Sequence, residues 1–279
     1  MKFQLALAQY PIERPSSPLS WQKHVADFCS QAQKAQMLCL PEYGSLDLTG
    51  LLTAQERELQ NQVFHLQKHL PLFMETYQQV AKSHSQWVVA PSFPVLENSR
   101  VVNRTYLFSP QGHMQFIEKQ KMTRFETEDW KIESSLIRLE PWITDFGPVG
   151  INICYDVEFP RFASELSRKG VELLLVPSCT ETLQGLNRIQ VGARARALEN
   201  QFFVGTSHTV GSAPWSPAVD FNTGEVIFCG PPDLGFSDDG VMTRGRRQEP
   251  GWTYVEVDFK KVHQVRKHGS VLNWKDSQS

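Results

Sequence analysis

Three residues on separate stretches of this 279-residue sequence have side chains that together could break a C–N bond: the thiol of Cys154, the carboxylate of Glu42 and the ammonium of Lys121. In such a set the sulfur attacks the carbonyl carbon while the carboxylate takes the thiol proton and later returns it to the leaving amine. The ammonium, with the backbone N–H of Tyr155, holds the negative charge that develops on the carbonyl oxygen. Water then hydrolyses the thioester, with the same carboxylate as base. The lysine also acts before the reaction, because a lone carboxylate beside a thiol raises its pKa. Taken singly, none of the three is distinctive. A lone cysteine is ordinarily a small buried hydrophobe, and a lone glutamate or lysine after a strand is ordinarily a solvated charge.

The elements that must bring them together are legible as alternating strands and helices. Ile151 and Ile153 alternate with Asn152 and Cys154, the period of a strand with one face buried, and Phe159-Pro160 then opens a helical run that Gly170 closes. Cys154 thus ends a strand where the chain turns into a helix, the position at which open α/β sheets carry reactive groups. Residues 37–40 form a short apolar strand stopped by Pro41, which leaves Glu42 just past its end. Residues 101–108 and 113–119 form a hairpin about Ser109-Pro110-Gln111-Gly112, which delivers Lys121 to the end of the returning strand.

Around these lie a first strand on Phe3, Leu5 and Leu7, and a helix carrying Trp21, Val25, Phe28 and Ala32. Helices are expected over 54–69 and 72–84, and a strand over 87–90 closed by Pro91. The second half repeats the rhythm. A strand pair over 136–146 and 149–154 precedes strands at 172–176 and 202–206, which flank a helix over 186–200. A last hairpin turns at Phe221-Asn222-Thr223-Gly224, and a late strand covers 252–257. Two like β-α-β-α-β halves imply an α/β fold of two packed sheets with helices outside. With no linker in view, the whole chain, 1–279, is expected to form a single domain, with a core of about 1–258 and a tail of 259–279.

Composition narrows the function. Lys+Arg number 28 against Asp+Glu 30, a net charge of -2, which gives no support to a nucleic-acid partner or to acidic membranes. The opening FQLALAQY is too short for a signal peptide, and no run is long enough to span a bilayer. The five cysteines are scattered without a CxxC, so reduced thiols and a cytoplasmic location are expected, and the Asn103-Arg104-Thr105 sequon is read as an accident of strand composition. His65 and His69 stand at i, i+4 with no third ligand, and no phosphate-binding glycine motif occurs, so neither a metal nor a cofactor is expected. The Arg244-Gly245-Arg246-Arg247 cluster is read as a solvated loop, or more narrowly as a partner for a substrate carboxylate. Two rival readings are a Cys-His enzyme using His208, which leaves Glu42 and Lys121 unexplained, and a catalytically silent binding protein on the same fold.

The contexts of the three residues carry a resemblance. Leu40-Pro41-Glu42, Lys121-Met122-Thr123-Arg124-Phe125-Glu126, and Gly150-Ile151-Asn152-Ile153-Cys154-Tyr155-Asp156 followed by Phe159-Pro160 are similar, in that order, to the motifs of the nitrilase superfamily of carbon–nitrogen hydrolases. Val176-Pro177-Ser178 and Arg194-Ala195-Arg196-Ala197-Leu198-Glu199-Asn200 extend the likeness over nearly the whole chain. The resemblance implies a four-layer αββα sandwich with two mixed sheets packed face to face, and a metal-free thioester mechanism without cofactor. It also implies assembly into a homodimer or higher homo-oligomer through helices such as 159–169 and 186–200. It brings a second glutamate that orients the lysine and substrate. Glu128 is favoured for that role from the Glu128-Asp129-Trp130 context, with Glu126 as the alternative. Arg161 departs from the acidic residue that members often carry after Phe-Pro. The expected reaction is amidase or ω-amidase-like hydrolysis of a small amide, with nitriles or N-carbamoyl compounds as alternatives on the same site. Loops 122–135, 155–162, 178–186 and 209–216 are expected to shape the pocket, with Trp130 and Trp215 as walls.

Overall fold

The computed structural model describes residues 2–277. Strand β1 (Lys2–Pro11) leads into α1 (Pro18–Ser30), which opens on a capping box between Ser17 and Ser20 with a proline in its first turn. Trp21, Val25 and Phe28 of α1 are buried at the spacing read from the sequence. Strand β2 (Met37–Cys39) follows, then α2 (Leu59–Leu66) and α3 (Leu70–His84). Strand β3 (Trp87–Glu97) runs through Pro91 instead of ending there. Its register against β4 (Arg100–Phe108) shifts between Val89 and Ser92, and this irregularity takes in a proline that has no N–H to give to the ladder. Strand β5 (Met114–Glu118) completes the expected hairpin, and the short helix α4 (Arg124–Glu128) follows it.

The pair β6 (Trp142–Thr144) and β7 (Gly147–Ile151) is shorter than expected. Then come α5 (Pro160–Arg168), β8 (Leu173–Ser178), α6 (Leu183–Asn200) and β9 (Phe203–Ser212). Phe221–Asn222, expected in a turn, forms a two-residue strand β10 against the end of β9. Strands β11 (Ile227–Cys229), β12 (Val241–Arg244) and β13 (Gly251–Asp258) precede helices α7 (Phe259–His268) and α8 (Asn273–Asp276). Phe259, Val262 and Val265 of α7 are buried, so core packing continues past residue 258.

The strand order is β5-β4-β3-β2-β1-β9-β8-β7-β6, with β13 antiparallel to β1 and β11 antiparallel to β9. Strands β1, β2 and β3 are parallel, as are β7, β8 and β9. The expected two sheets are therefore one hydrogen-bonded sheet with two limbs, joined where Gln9, Tyr10 and Pro11 of β1 pair with His208, Thr209 and Val210 of β9. The limbs share a core in which Leu5 and Leu7 of β1 join Ile151 of β7 and Leu175 of β8. Trp87 on β3 meets Trp142 on β6 at 5.0 Å between ring centroids, and Phe3 stacks on Phe146 at 4.1 Å. A second core joins Ala6, Ala8 and Tyr10 of β1 to Phe28 of α1 and to Phe73 and Tyr77 of α3. On the second limb, α6 approaches the turn after β7 so closely that a Cβ on Gly192 would meet the Cγ1 of Val157 at 2.9 Å and its carbonyl oxygen at 3.2 Å. Any side chain at 192 would require Val157 or the helix to shift, and the close approach locks the helix to the segment that carries Cys154.

Candidate active site

Strand β7 ends at Ile151, and Asn152 is still held to β8 by its N–H donating to the Leu175 carbonyl at 3.0 Å. Two residues later the backbone reverses. Cys154 has φ +48°, a left-handed conformation that costs a non-glycine residue about 1 kcal/mol or more, and opens a tight helical turn over Cys154–Glu158. Pro160 then starts α5 at its first position, where a missing N–H is harmless. Cys154 thus sits three residues beyond its strand, on a strained elbow, with its Sγ 3.6 Å from the Cys179 carbonyl oxygen. Glu42 lies just past β2, and its neighbour Tyr43 is also left-handed, at φ +55°. The Tyr43 N–H donates to Ser92 Oγ at 3.0 Å, which pins this second turn to β3.

The lysine that joins these two residues is Lys119, not Lys121. Strand β5 stops at Glu118, and the Lys119 N–H still donates to the Asn103 carbonyl at 2.9 Å, so its side chain is carried inward. Lys119 Nζ donates to Glu42 Oε1 at 2.7 Å and to Glu126 Oε1 and Oε2 at 2.8 and 2.7 Å, and only 1% of its side chain is exposed. Lys121 instead gives its backbone N–H to the buried Asp156 carboxylate at 2.8 Å, and its side chain is not part of the cavity wall. Asp156 also accepts the Gln120 N–H at 3.1 Å. It thereby straps the segment after Lys119 to the turn that begins at Cys154.

The second glutamate is likewise Glu126 and not Glu128. Helix α4 begins with a capping box in which Thr123 accepts the Glu126 N–H while Glu126 Oε2 accepts the Thr123 N–H at 2.8 Å. Two residues along a helix is about 200° of rotation, so Glu128 faces solvent, where it pairs with Arg124 at 2.9 Å. Glu126 also accepts the Tyr43 hydroxyl at 2.7 Å, and Asn103 Nδ2 donates to Glu42 at 2.9 Å and to Glu126 at 3.3 Å.

Charge follows from this web. Burial pushes Glu42 above the usual carboxylate range, and Glu126 nearby adds to the rise while Lys119 opposes it. Burial pushes on Glu126 too, but the Lys119 ammonium, the Thr123 N–H and the Tyr43 hydroxyl hold it below that range. Lys119 stays protonated because the two carboxylates outweigh its desolvation. Burial and then the Glu42 charge push the Cys154 thiol well up, against the pull of Lys119. The resting pair is therefore a thiol beside a carboxylate of raised pKa, suited to transferring the proton as the sulfur attacks.

Cys154, Glu42, Lys119 and Glu126 line one cavity of about 250 Å³. Loops 122–135, 155–162 and 178–186 contribute to its wall as expected, through residues including Phe125, Tyr155 and Thr180. The fourth contribution comes from residues 217–221 and not from 209–216. Trp130 is no wall: it is buried behind the site, its ring 5.1 Å from that of Tyr43. Trp215 does not line the cavity either, nor do Arg244 and Arg246, which pair with Glu225 at 3.3 Å and Glu249 at 3.5 Å. His208 is fully buried and also lies outside the cavity wall.

Residues that sequence reading missed are Tyr43, Asn103, Asp156 and Cys179, whose N–H donates to Glu42 Oε2 at 3.2 Å. Asn103 had a local signal, an amide inside the strand run 101–108, where a buried polar side chain needs partners. Among the described residues no group of three or more His, Cys, Asp or Glu could hold a metal ion, and no helix is long and apolar enough to cross a membrane.

Residues 4–267 match the sequence model described as carbon-nitrogen hydrolase. Among curated relatives, the probable hydrolase YhcX of Bacillus subtilis (strain 168) is 27% identical over 254 residues, covering 91% of this chain and 49% of the relative. The chain therefore spans about half the length of YhcX. Omega-amidase NIT2 of Mus musculus is 25% identical over 205 residues, covering 71% of this chain and 70% of the relative. The 2-oxoglutaramate amidase of Paenarthrobacter nicotinovorans is 29% identical over 190 residues, covering 64% of this chain and 61% of the relative. Among solved structures, a carbon-nitrogen hydrolase from Helicobacter pylori G27 superposes with TM-score 0.78 at 17% identity, covering 96% of this chain and 93% of that one. At that identity the likeness speaks for the fold alone.

Proposed function

The chain belongs to the carbon–nitrogen hydrolase family, and from that premise we propose that it hydrolyses the C–N bond of a small carboxamide through a Cys154 thioester, releasing ammonia or an amine. The observation that carries this reading is the buried Lys119 ammonium held between Glu42 and Glu126 on the wall of the cavity that Cys154 also lines. Glu42 takes the thiol proton as Sγ bonds to the amide carbon and the carbonyl π pair moves onto oxygen. The Lys119 ammonium and the Tyr155 N–H stabilise that oxyanion; an N–H in the first turn of a helical segment has no partner within its own helix. When the intermediate collapses, the C–N bond breaks and protonated Glu42 gives its proton to the departing nitrogen. Glu42 next takes a proton from water as the hydroxide oxygen bonds to the thioester carbon. The C–S bond then breaks and the proton returns to sulfur. Glu126 touches no reacting atom and acts by fixing Lys119.

Amide substrates are preferred over nitriles because relatives carry the names omega-amidase and 2-oxoglutaramate amidase. On the same footing we infer a single catalytic domain whose two limbs form the inner layers of an αββα sandwich. The contacts between Trp87 and Trp142 and between Phe3 and Phe146 support that arrangement. We also infer a homodimer through α5 and α6, supported by the exposed Val191 and Leu198 on α6, and a reducing cytoplasmic setting, supported by five free cysteines. The test is ammonia release from a panel of small amides, ureas and nitriles, with acyl-enzyme trapping by mass spectrometry. Amide turnover and an acyl adduct on Cys154, both lost in Cys154→Ala, are expected. Ammonia release that survives Cys154→Ala rejects the mechanism.

A further inference from the structure

A carboxamide whose carbon lies beside Cys154 extends outward past a rim of distinctive charge. Three carboxylates line the cavity away from the Lys119 web, those of Glu158, Glu181 and Asp220, against one guanidinium, that of Arg188. Arg188 Nε donates to Glu158 at 3.0 Å, so these two charges answer each other. Glu181 and Asp220 are exposed, and among the described residues neither carboxylate lies within 4.0 Å of a cation. The same rim carries exposed aromatic rings, with Phe125 36% and Phe221 54% accessible, beside the wall residue Tyr155. Large exposed aromatics next to unpaired carboxylates are the surroundings that a desolvated ammonium prefers, since ring faces and carboxylates both attract positive charge.

These groups are held together by backbone. Thr223 N–H donates to the Thr180 carbonyl at 2.7 Å, Thr180 Oγ1 donates to the Thr223 carbonyl at 2.6 Å, and Thr223 Oγ1 donates to the Glu181 carbonyl at 2.8 Å. The segment bearing Glu181 and the one bearing Asp220 and Phe221 are thus stitched into one wall.

We propose that this site takes a small carboxamide bearing a protonated amine at the end remote from the scissile bond, with its ammonium received by Glu181, Asp220 and the aromatic rim. This rests on the amidase reading and adds the substrate's charge. An amide ending in a carboxylate would face two unpaired like charges and a single arginine already engaged by Glu158.

The experiment compares kcat/KM for three amides of similar size, γ-aminobutyramide, butyramide and succinamate, in the full chain. The expected order is ammonium above neutral above carboxylate. The ammonium-to-neutral ratio is expected to fall about two- to thirtyfold in Glu181→Gln/Asp220→Asn, the span given by two exposed charge contacts. It should also shrink as salt is raised, and stay unmoved in Glu58→Gln, which removes a surface carboxylate outside the cavity. Preference for succinamate, or a ratio unaltered by the double variant, overturns the proposal while leaving the amidase reading intact. Failure of all three amides together with nitriles and ureas would instead sink the amidase reading itself. If the double variant does not fold, Glu181→Gln alone is scored by the same ratio.

Discussion

Replacing Lys119 and Lys121 one at a time separates the geometry from the motif. Lys119 makes three charge-assisted contacts of 2.7, 2.8 and 2.7 Å to two buried carboxylates. At an effective dielectric of about 20, each charge pair at that separation is worth about 6 kcal/mol before desolvation is subtracted. Lys119→Met removes the ammonium and leaves Glu42 and Glu126 facing each other in the interior. Breaking a buried pair in this way costs about 3–5 kcal/mol of stability, lessened where one carboxylate takes up a proton. Protonation of Glu42 would remove the base, and loss of the ammonium removes an oxyanion partner worth about 10²–10³ in rate. The expected outcome is a lower denaturant midpoint with at least a 10²-fold loss in ammonia release. Lys121→Ala keeps the N–H that Asp156 accepts and should change activity by no more than about twofold, as substitutions away from such features do. If Lys119→Met, still folded by circular dichroism, retains activity within tenfold while Lys121→Ala abolishes it, the assignment of the lysine is wrong.

Further outcomes follow from the buried groups. Glu42 must be ionised to take the thiol proton, and burial raises its pKa, so kcat/KM should fall as pH drops through a value above the ordinary carboxylate range. An acid limb at or below about 4 in a pH–rate profile would contradict this. Asp47 is buried and accepts from Tyr10 Oη at 2.7 Å and Trp21 Nε1 at 2.8 Å, and burial pushes it up to about 7. Its folded state binds the proton more tightly than the unfolded chain does. Its contribution is therefore complete below about pH 4 and lost as pH rises to about 7, a change of no more than about 4 kcal/mol. Asp47→Asn should flatten the dependence of Tm on pH across that window, and an unchanged slope would reject the account. His208 is fully buried with neither ring nitrogen partnered among the described residues, and burial lowers its pKa to about 3. His208→Asn should alter the unfolding midpoint while Cys154 still forms its acyl adduct, and loss of that adduct in the folded variant would revive the Cys-His reading.

How far the sequence reached depended on what each pattern encodes. Strand endings at Pro41 and at the residues before Phe159-Pro160 marked Glu42 and Cys154, because proline and a broken alternation are local signals. Lys119 and Lys121 are two residues apart and so have the same parity on a strand, which alternation cannot separate. What selects Lys119 is tertiary: its N–H stays on β4, and Asp156 then turns the backbone away. Glu126 is legible in the sequence, since Thr123-Arg124-Phe125-Glu126 is a capping-box pattern that places that glutamate at the helix start. The joining of the two limbs at β1 and β9 rests on three residue pairs far apart in sequence, for which no local period exists. The end expected at Pro91 treats proline as a strand terminator, whereas β3 absorbs it in a register shift, and β8 likewise runs on through Pro177, past the expected 172–176.

The division of labour between the two glutamates comes from what surrounds each. Both are buried and both touch the same ammonium. Glu126 receives in addition the Thr123 N–H and hydroxyl and the Tyr43 hydroxyl, donors that favour its charged form, and it is the one held low. Glu42 receives fewer: one amide from Asn103, one backbone N–H from Cys179 and a single contact with Lys119. Its charge is therefore the less stabilised of the two, and it is the one beside the thiol. Two carboxylates with different donor counts around one lysine are thereby driven apart in pKa. In the proposed mechanism the one with more donors keeps Lys119 cationic for the oxyanion, and the one with fewer is left basic enough to exchange a proton with Cys154. A helix cap thus does electrostatic work at the reactive centre, because the donors that start α4 are the same donors that keep Glu126 charged.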